Sequence, residues 1–113
     1  MSLLGLILAL FSMAAQLEAT YPIEAAIIKT FPLSAWEEAR CIQWEEAKAN
    51  PGAIGDNGLA IGLFQIRVDA HPEYDPERLL EIGYNVQAAY EIWKASGQTF
   101  QKDWIRASWL CGR

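Results

Sequence analysis

Residues Leu3 to Ala15 form an apolar stretch interrupted only by small residues and one Ser, with no Lys or Arg before it. It reads as a secretory signal, with cleavage candidates at Ala14-Ala15 and Leu17-Glu18-Ala19. A retained membrane anchor is the alternative, although about 13 residues is short for a spanning helix. Of the 113 residues, 1–19 are thereby set apart as leader and 20–113 remain for one small, single-cored domain. Hydrophobic residues make up 52% and charged residues 20%, with five Trp, four Tyr and four Phe, which excludes a disordered chain. The formal charge is -5, or -4 if Glu18 leaves with the leader. The nine Lys and Arg are scattered, so the basic patch of a nucleic-acid binder is missing.

Cys41 and Cys111 are an even number in an apparently exported chain, which favours a disulfide over two free buried thiols. A bridge closing a loop of roughly 70 residues would stabilise so small a domain by about 4 kcal/mol. No Cys-x-x-Cys pair occurs, and the single His71 lies before Pro72 without a neighbouring ligand pattern, so neither a metal nor a cofactor is implied.

Several helices are marked by their ends. Ile23 to Phe31 predicts a short helix stopped by Pro32. Ser34 and Glu37 have capping-box spacing ahead of a helix from about Ala35 to Ala49, halted by Asn50-Pro51-Gly52. Gly52, Gly55, Gly58 and Gly62, with the turn signal Asn57-Gly58, predict a small hairpin or irregular lobe up to Ile66. Asp56-Asn57-Gly58 lacks the spaced acids of a calcium loop and reads as a turn. Asp75-Pro76 opens a further helix, divided at Gly83 from one over Asn85 to Ser96 that ends at Gly97. A last helix is expected over Phe100 to Leu110.

On the helix from Ala35, a rotation of about 100° per residue puts Glu46 within roughly 20° of Ala35 and Ala39 and roughly 40° of Ile42. Glu45 instead projects with Glu38 and toward Lys48, as a solvated charge. A carboxyl on the apolar side has a raised pKa, because desolvation penalises its charged form, and this suits a general acid near neutral pH. By the same arithmetic Cys41 lies about 140° around from Glu46, so a disulfide could anchor the back of the helix. Taken alone, Glu46 reads first as an ordinary exposed helix former, as a Glu near a helix end usually is.

Cys41-Ile42-Gln43-Trp44-Glu45-Glu46-Ala47-Lys48-Ala49-Asn50-Pro51 followed by Gly62-Leu63-Phe64-Gln65-Ile66 resembles the signature of the lysozyme-like superfamily. Soluble lytic transglycosylases and goose-type lysozymes carry Glu-Ser-x-x-Asn-Pro and then Gly-Leu-x-Gln-Ile, which puts the catalytic acid at Glu46. Animal c-type lysozymes have a Cys five residues before their catalytic Glu, which selects the same residue. In those enzymes that Cys bonds to one near the C-terminus, seven residues after a Trp that packs on the acid. The resemblance therefore implies a Cys41-Cys111 bridge and Trp104 as part of the wall around Glu46. It covers about Ser34 to Cys111, and implies a mainly α, α+β fold whose helical domain and small β-hairpin or irregular lobe form a substrate cleft.

The sequence departs from the family in two places. Ala47 replaces the Ser that normally follows the acid, and Ala60 stands where c-type enzymes have their second carboxylate. A retaining mechanism using a nucleophile at that second position is excluded. The Ala and Tyr motif of transglycosylase C-terminal helices is not evident, although Asn85-Val86 resembles the Asn-hydrophobic pair that opens a helix in those proteins.

With one convincing carboxylate, the resemblance implies a lytic transglycosylase acting on peptidoglycan or a related amino-sugar polymer as a secreted or periplasmic monomer. An inverting hydrolase would need a base such as Asp56 or Asp69 about 6.5 to 9.5 Å from Glu46. A glycan-binding module that has lost catalytic strength is the rival class, which Ala47 and the acidic balance favour. The Gln65 amide is expected to bind sugar or to tie its own loop, and Gly62 to permit a close backbone approach. Tyr84, Tyr90, Trp93 and Trp109 either present rings to sugar or pack in the core. Phe64 and Ile66 are expected to be core.

Overall fold

The computed structural model describes residues 2–112 and is mainly α, with a small antiparallel sheet. Helix α1, Leu3–Thr20, buries none of its residues, and is long and apolar enough by length and composition to cross a membrane. It packs beside α2, Pro22–Thr30, with an ion pair from Lys29 to Glu18. The helix thus runs beyond the apolar stretch as far as Thr20, and the rest of the fold does not bury it.

Helix α2 starts with Pro at its first turn and ends at Thr30, as expected from Pro32. The corner that follows is closed by the Trp36 indole, whose Nε1 donates to the Phe31 carbonyl at 2.7 Å. Ser34 does not cap the next helix. Residues Leu33–Ala35 wind into a 3-10 turn, which leads directly into α3, Trp36–Ala47, without a side-chain cap. This helix stops two residues before the expected end, because Lys48 and Ala49 turn left-handed at φ 51° and 61°.

The glycine-rich segment forms the predicted lobe. Strands β1 (Ile54–Gly55), β2 (Ala60–Ile61) and β3 (Ile66–Arg67) pair antiparallel in the order β1-β2-β3, in register Ile54 to Ile61 and Ile61 to Ile66. Asp56, Asn57 and Gly58 make the first connection with φ of 50°, 57° and 91°, which is why Asn and Gly occupy it.

The helix expected at Asp75-Pro76 is reduced to a 3-10 turn, Arg78–Leu80, although the Asp75 carboxylate does accept from the Glu77 N–H at 2.9 Å. Extended backbone at Glu81 stops it, and Gly83 does not divide two helices. It lies inside α4, Ile82–Ala95, which Gly97 follows at φ 86°. The C-terminal helix is also shorter than expected. Trp104 leaves helical geometry at φ -121° and ψ 56°, so α5 covers only Ile105–Leu110.

The core forms where α2, α3 and α4 meet the lobe. Phe31 is central, with ring centroids 5.5 Å from Tyr90 and Trp93 and 5.7 Å from Phe100. Phe64 and Ile66 are buried, as the sequence suggests. Asn85 joins the helices to the lobe. It is fully buried, and its Oδ1 accepts from the Phe64 N–H at 2.9 Å while its Nδ2 donates to the Ile61 and Leu79 carbonyls at 2.9 and 2.8 Å. Gly62 permits this approach: a Cβ there, at φ 78°, would stand 2.3 Å from Asn85 Nδ2 and 2.2 Å from the Leu79 oxygen.

Cys41 and Cys111 are bridged, with Cα atoms 6.0 Å apart and a sequence separation of 70. The bond joins α3 to the end of α5. Replacing both cysteines with Ser is expected to cost about 4 kcal/mol, mainly by freeing the unfolded chain, and to lower the melting temperature by on the order of 20 °C. Thermal melts of the two proteins followed by circular dichroism check this.

Candidate functional site

Glu46 stands on the last turn of α3, on the side where Ala35, Ala39 and Ile42 are buried. Its own side chain is half-buried, and it lines a cavity of about 350 Å³ with Glu45, Lys48, Arg106, Ala107 and Leu110. The cavity therefore lies between the end of α3 and α5. Glu46 is five residues after Cys41 and Arg106 five before Cys111, so the disulfide ties together the two helices that wall the site. Cys41 itself lines a different cavity from Glu46, on another side of α3.

Burial raises the Glu46 pKa above the ordinary carboxylate value, and the Asp56 charge raises it further. Arg106 opposes both by lowering it, and Glu45 adds a smaller upward push. The folded protein thus holds this proton more tightly than the unfolded chain does. Ionising Glu46 accordingly costs stability as pH rises above the ordinary glutamate range, and the cost vanishes below it.

Glu45 is less exposed than expected for a solvated charge. It lines the same cavity and pairs with Lys48 at 3.6 Å, with 27% of its side chain exposed. Lys48 also lies over the exposed Trp44 ring, 5.3 Å from its centroid.

Of the two carboxylates considered as a base, Asp56 acts electrostatically on Glu46 and Asp69 does not figure among the charges that do. Arg67 holds both, Asp56 at 3.1 Å and Asp69 through two bonds of 2.9 Å. The second engagement depresses the Asp69 pKa to about 2. Asp69 is thus held by two bonds to Arg67, whereas Asp56, on the turn between β1 and β2, is held by one and is 62% exposed.

The other anticipated residues gather elsewhere. Gln65 Nε2 donates to the Ala53 and Gly62 carbonyls at 3.1 and 3.0 Å, so this amide ties its own lobe. Trp104 is buried and donates through Nε1 to the Phe64 carbonyl at 2.7 Å. Gln65 and Trp104 line a separate depression with His71 and Asp103, whose facing atoms lie 3.9 Å apart. Trp104 does not line the cavity that holds Glu46. Gly62 makes its close approach to Asn85 and the Leu79 backbone.

The Tyr84 hydroxyl accepts from the Asp75 N–H at 3.0 Å, and Arg78 covers its ring at 4.3 Å, so it pins the 75–78 loop. Trp93 is buried and Tyr90 packs on it, with centroids 5.9 Å apart. Trp109 alone of the rings considered for sugar stands open, 73% exposed on α5.

A larger cavity of about 460 Å³ lies away from Glu46, lined by Glu24, Glu37, Arg40, Gln43 and Trp44. Its acids sit in the first turns of α2 and α3, where a carboxylate complements the helix dipole, so a structural role accounts for them. Among the described residues, no cluster of three or more His, Cys, Asp or Glu is arranged to hold a metal.

Sequence reasoning missed Arg106. Its signal was its distance from Cys111, which mirrors that of Glu46 from Cys41. Compared with family models, curated proteins and solved structures, the chain matches none.

Proposed function

We propose that the protein cleaves peptidoglycan, with Glu46 as general acid and then base, as a lytic transglycosylase of the bond between N-acetylmuramic acid and N-acetylglucosamine. One observation carries the reading: a half-buried carboxyl with raised proton affinity opens onto a cavity walled by a second helix. The resemblance of residues 41–66 to the lysozyme-like signature supports it, as do the disulfide and the apolar N-terminal helix, which fit an exported protein.

In this mechanism Glu46 gives its proton to the glycosidic oxygen as the bond from muramyl C1 breaks. The resulting carboxylate then takes the proton of the muramyl 6-hydroxyl while O6 bonds to C1, forming the 1,6-anhydro ring and restoring the acid. The attacking group comes from the substrate, so Ala60 creates no deficit. Burial raises the proton affinity of Glu46, which favours the protonated form from which the step starts.

Asp56 supports a second reading. Its charge reaches Glu46, and it is open to solvent, so it could activate a water for inverting hydrolysis. Digesting purified sacculi and analysing the soluble products by mass spectrometry separates the outcomes. Anhydromuramyl ends are expected, reducing ends would assign the hydrolase, and a folded protein that binds but releases nothing would be a binding module.

A further inference from the structure

We propose that Arg106 sets the specificity of the Glu46 cavity, selecting a glycan with a carboxylate beside the scissile bond over a neutral amino-sugar polymer such as chitin; this rests on the peptidoglycan-cleaving reading of the same site. The cavity gathers four charged groups, Glu45, Glu46, Lys48 and Arg106. Glu45 and Lys48 pair at 3.6 Å and cancel each other. Glu46 is neutral while it carries the proton it must deliver. Arg106 is then one uncompensated positive charge on the wall of the cavity.

Arg106 is an exposed residue that acts electrostatically on Glu46, and no hydrogen bond or ion pair among the described residues engages its side chain. By contrast, Arg67 and Arg78 are each held by carboxylates. A free guanidinium presents a planar fork that matches a carboxylate with two parallel bonds. Leu110, an exposed residue of the cavity lining, provides apolar surface beside it for a sugar ring. The bridge from Cys111 to Cys41 fixes the helix that carries the fork. A muramyl unit bears a carboxyl-terminated lactyl ether, free or extended by a peptide that brings its own carboxylates, where a chitin unit has a hydroxyl. The shared recognition chemistry is the carboxylate.

The test uses full-length Glu46→Gln, whose amide mimics the neutral acid and leaves the glycan uncut. Calorimetric titration compares three probes of equal sugar length: a chito-oligosaccharide, a muramyl-containing strand with free lactyl carboxylates, and the same strand bearing peptides. At least one anionic probe should bind about tenfold more tightly than the neutral one. Adding Arg106→Gln should erase that preference, and Arg106→Lys, which keeps the charge without the fork, should restore part of it. Preference for both anionic strands assigns the lactyl carboxylate, and preference for the peptide-bearing strand alone assigns the peptide. Equal affinities, or a preference that survives Arg106→Gln, would overturn the proposal. If the wild-type protein still digests sacculi in that case, the role of Glu46 stands and only that of Arg106 falls. A folded protein that binds none of the probes and digests nothing removes both.

Discussion

Glu46→Gln is expected to lower muropeptide release from sacculi by about 100-fold or more, the usual consequence of removing a general acid, while Glu45→Gln keeps most of the activity. The two residues are adjacent on α3 and line one cavity, so the pair isolates proton delivery from local charge. Glu45 is engaged by Lys48 at 3.6 Å, whereas Glu46 is the carboxyl whose proton affinity is raised by burial and the Asp56 charge. Loss of folding would not explain the result. The amide removes a charge that is costly to bury, so Glu46→Gln should melt no lower than wild type at neutral pH, and any advantage should fade as pH falls below the ordinary glutamate range. Release rates for the three proteins, with a thermal melt of each, check both statements. If Glu45→Gln were the inactive variant, the acid would be the neighbouring residue.

Asn85→Leu is expected to destabilise the fold by about 4 kcal/mol, because it keeps the volume and removes every polar atom of the side chain. The Phe64 N–H and the Ile61 and Leu79 carbonyls would each lose a buried partner. Urea unfolding should show a lower midpoint with an unchanged slope. A cost below about 1 kcal/mol would mean that water satisfies those groups, and that the lobe is held by its apolar contacts. The same substitution should reduce release at temperatures where the protein is still folded, since Asn85 positions the lobe that carries Asp56.

How much of this was legible in the sequence depends on where the deciding interaction lies. The apolar side of α3 was readable because helical rotation alone puts Glu46 with Ala39 and Ile42, and both are fully buried. The turn at Asp56-Asn57-Gly58 was readable because left-handed backbone favours those residue types. The helix ends were not. Ser34 had the right spacing to cap α3, but the 3-10 turn at 33–35 bypasses it. The hydrogen bond that fixes Trp104 runs to the Phe64 carbonyl, a partner 40 residues away that no local pattern announces. Arg106 was missed for a similar reason: its spacing from Cys111 was the one signal, and only the docking of α5 on α3 brings it to Glu46. The role of Asn85 depends on three backbone groups from two other segments, and the resemblance to a helix-opening pair put it at a helix start, whereas α4 begins at Ile82.

In the proposed mechanism, desolvation is what makes Glu46 a proton donor. Carbon-13 NMR titration of the Glu46 side-chain carboxyl, assigned by its disappearance in Glu46→Gln, measures that property at the atom concerned. A midpoint above the ordinary glutamate value of about 4.5, rising further in Arg106→Gln as the opposing charge is removed, is the predicted result. A midpoint at or below that value would contradict the account.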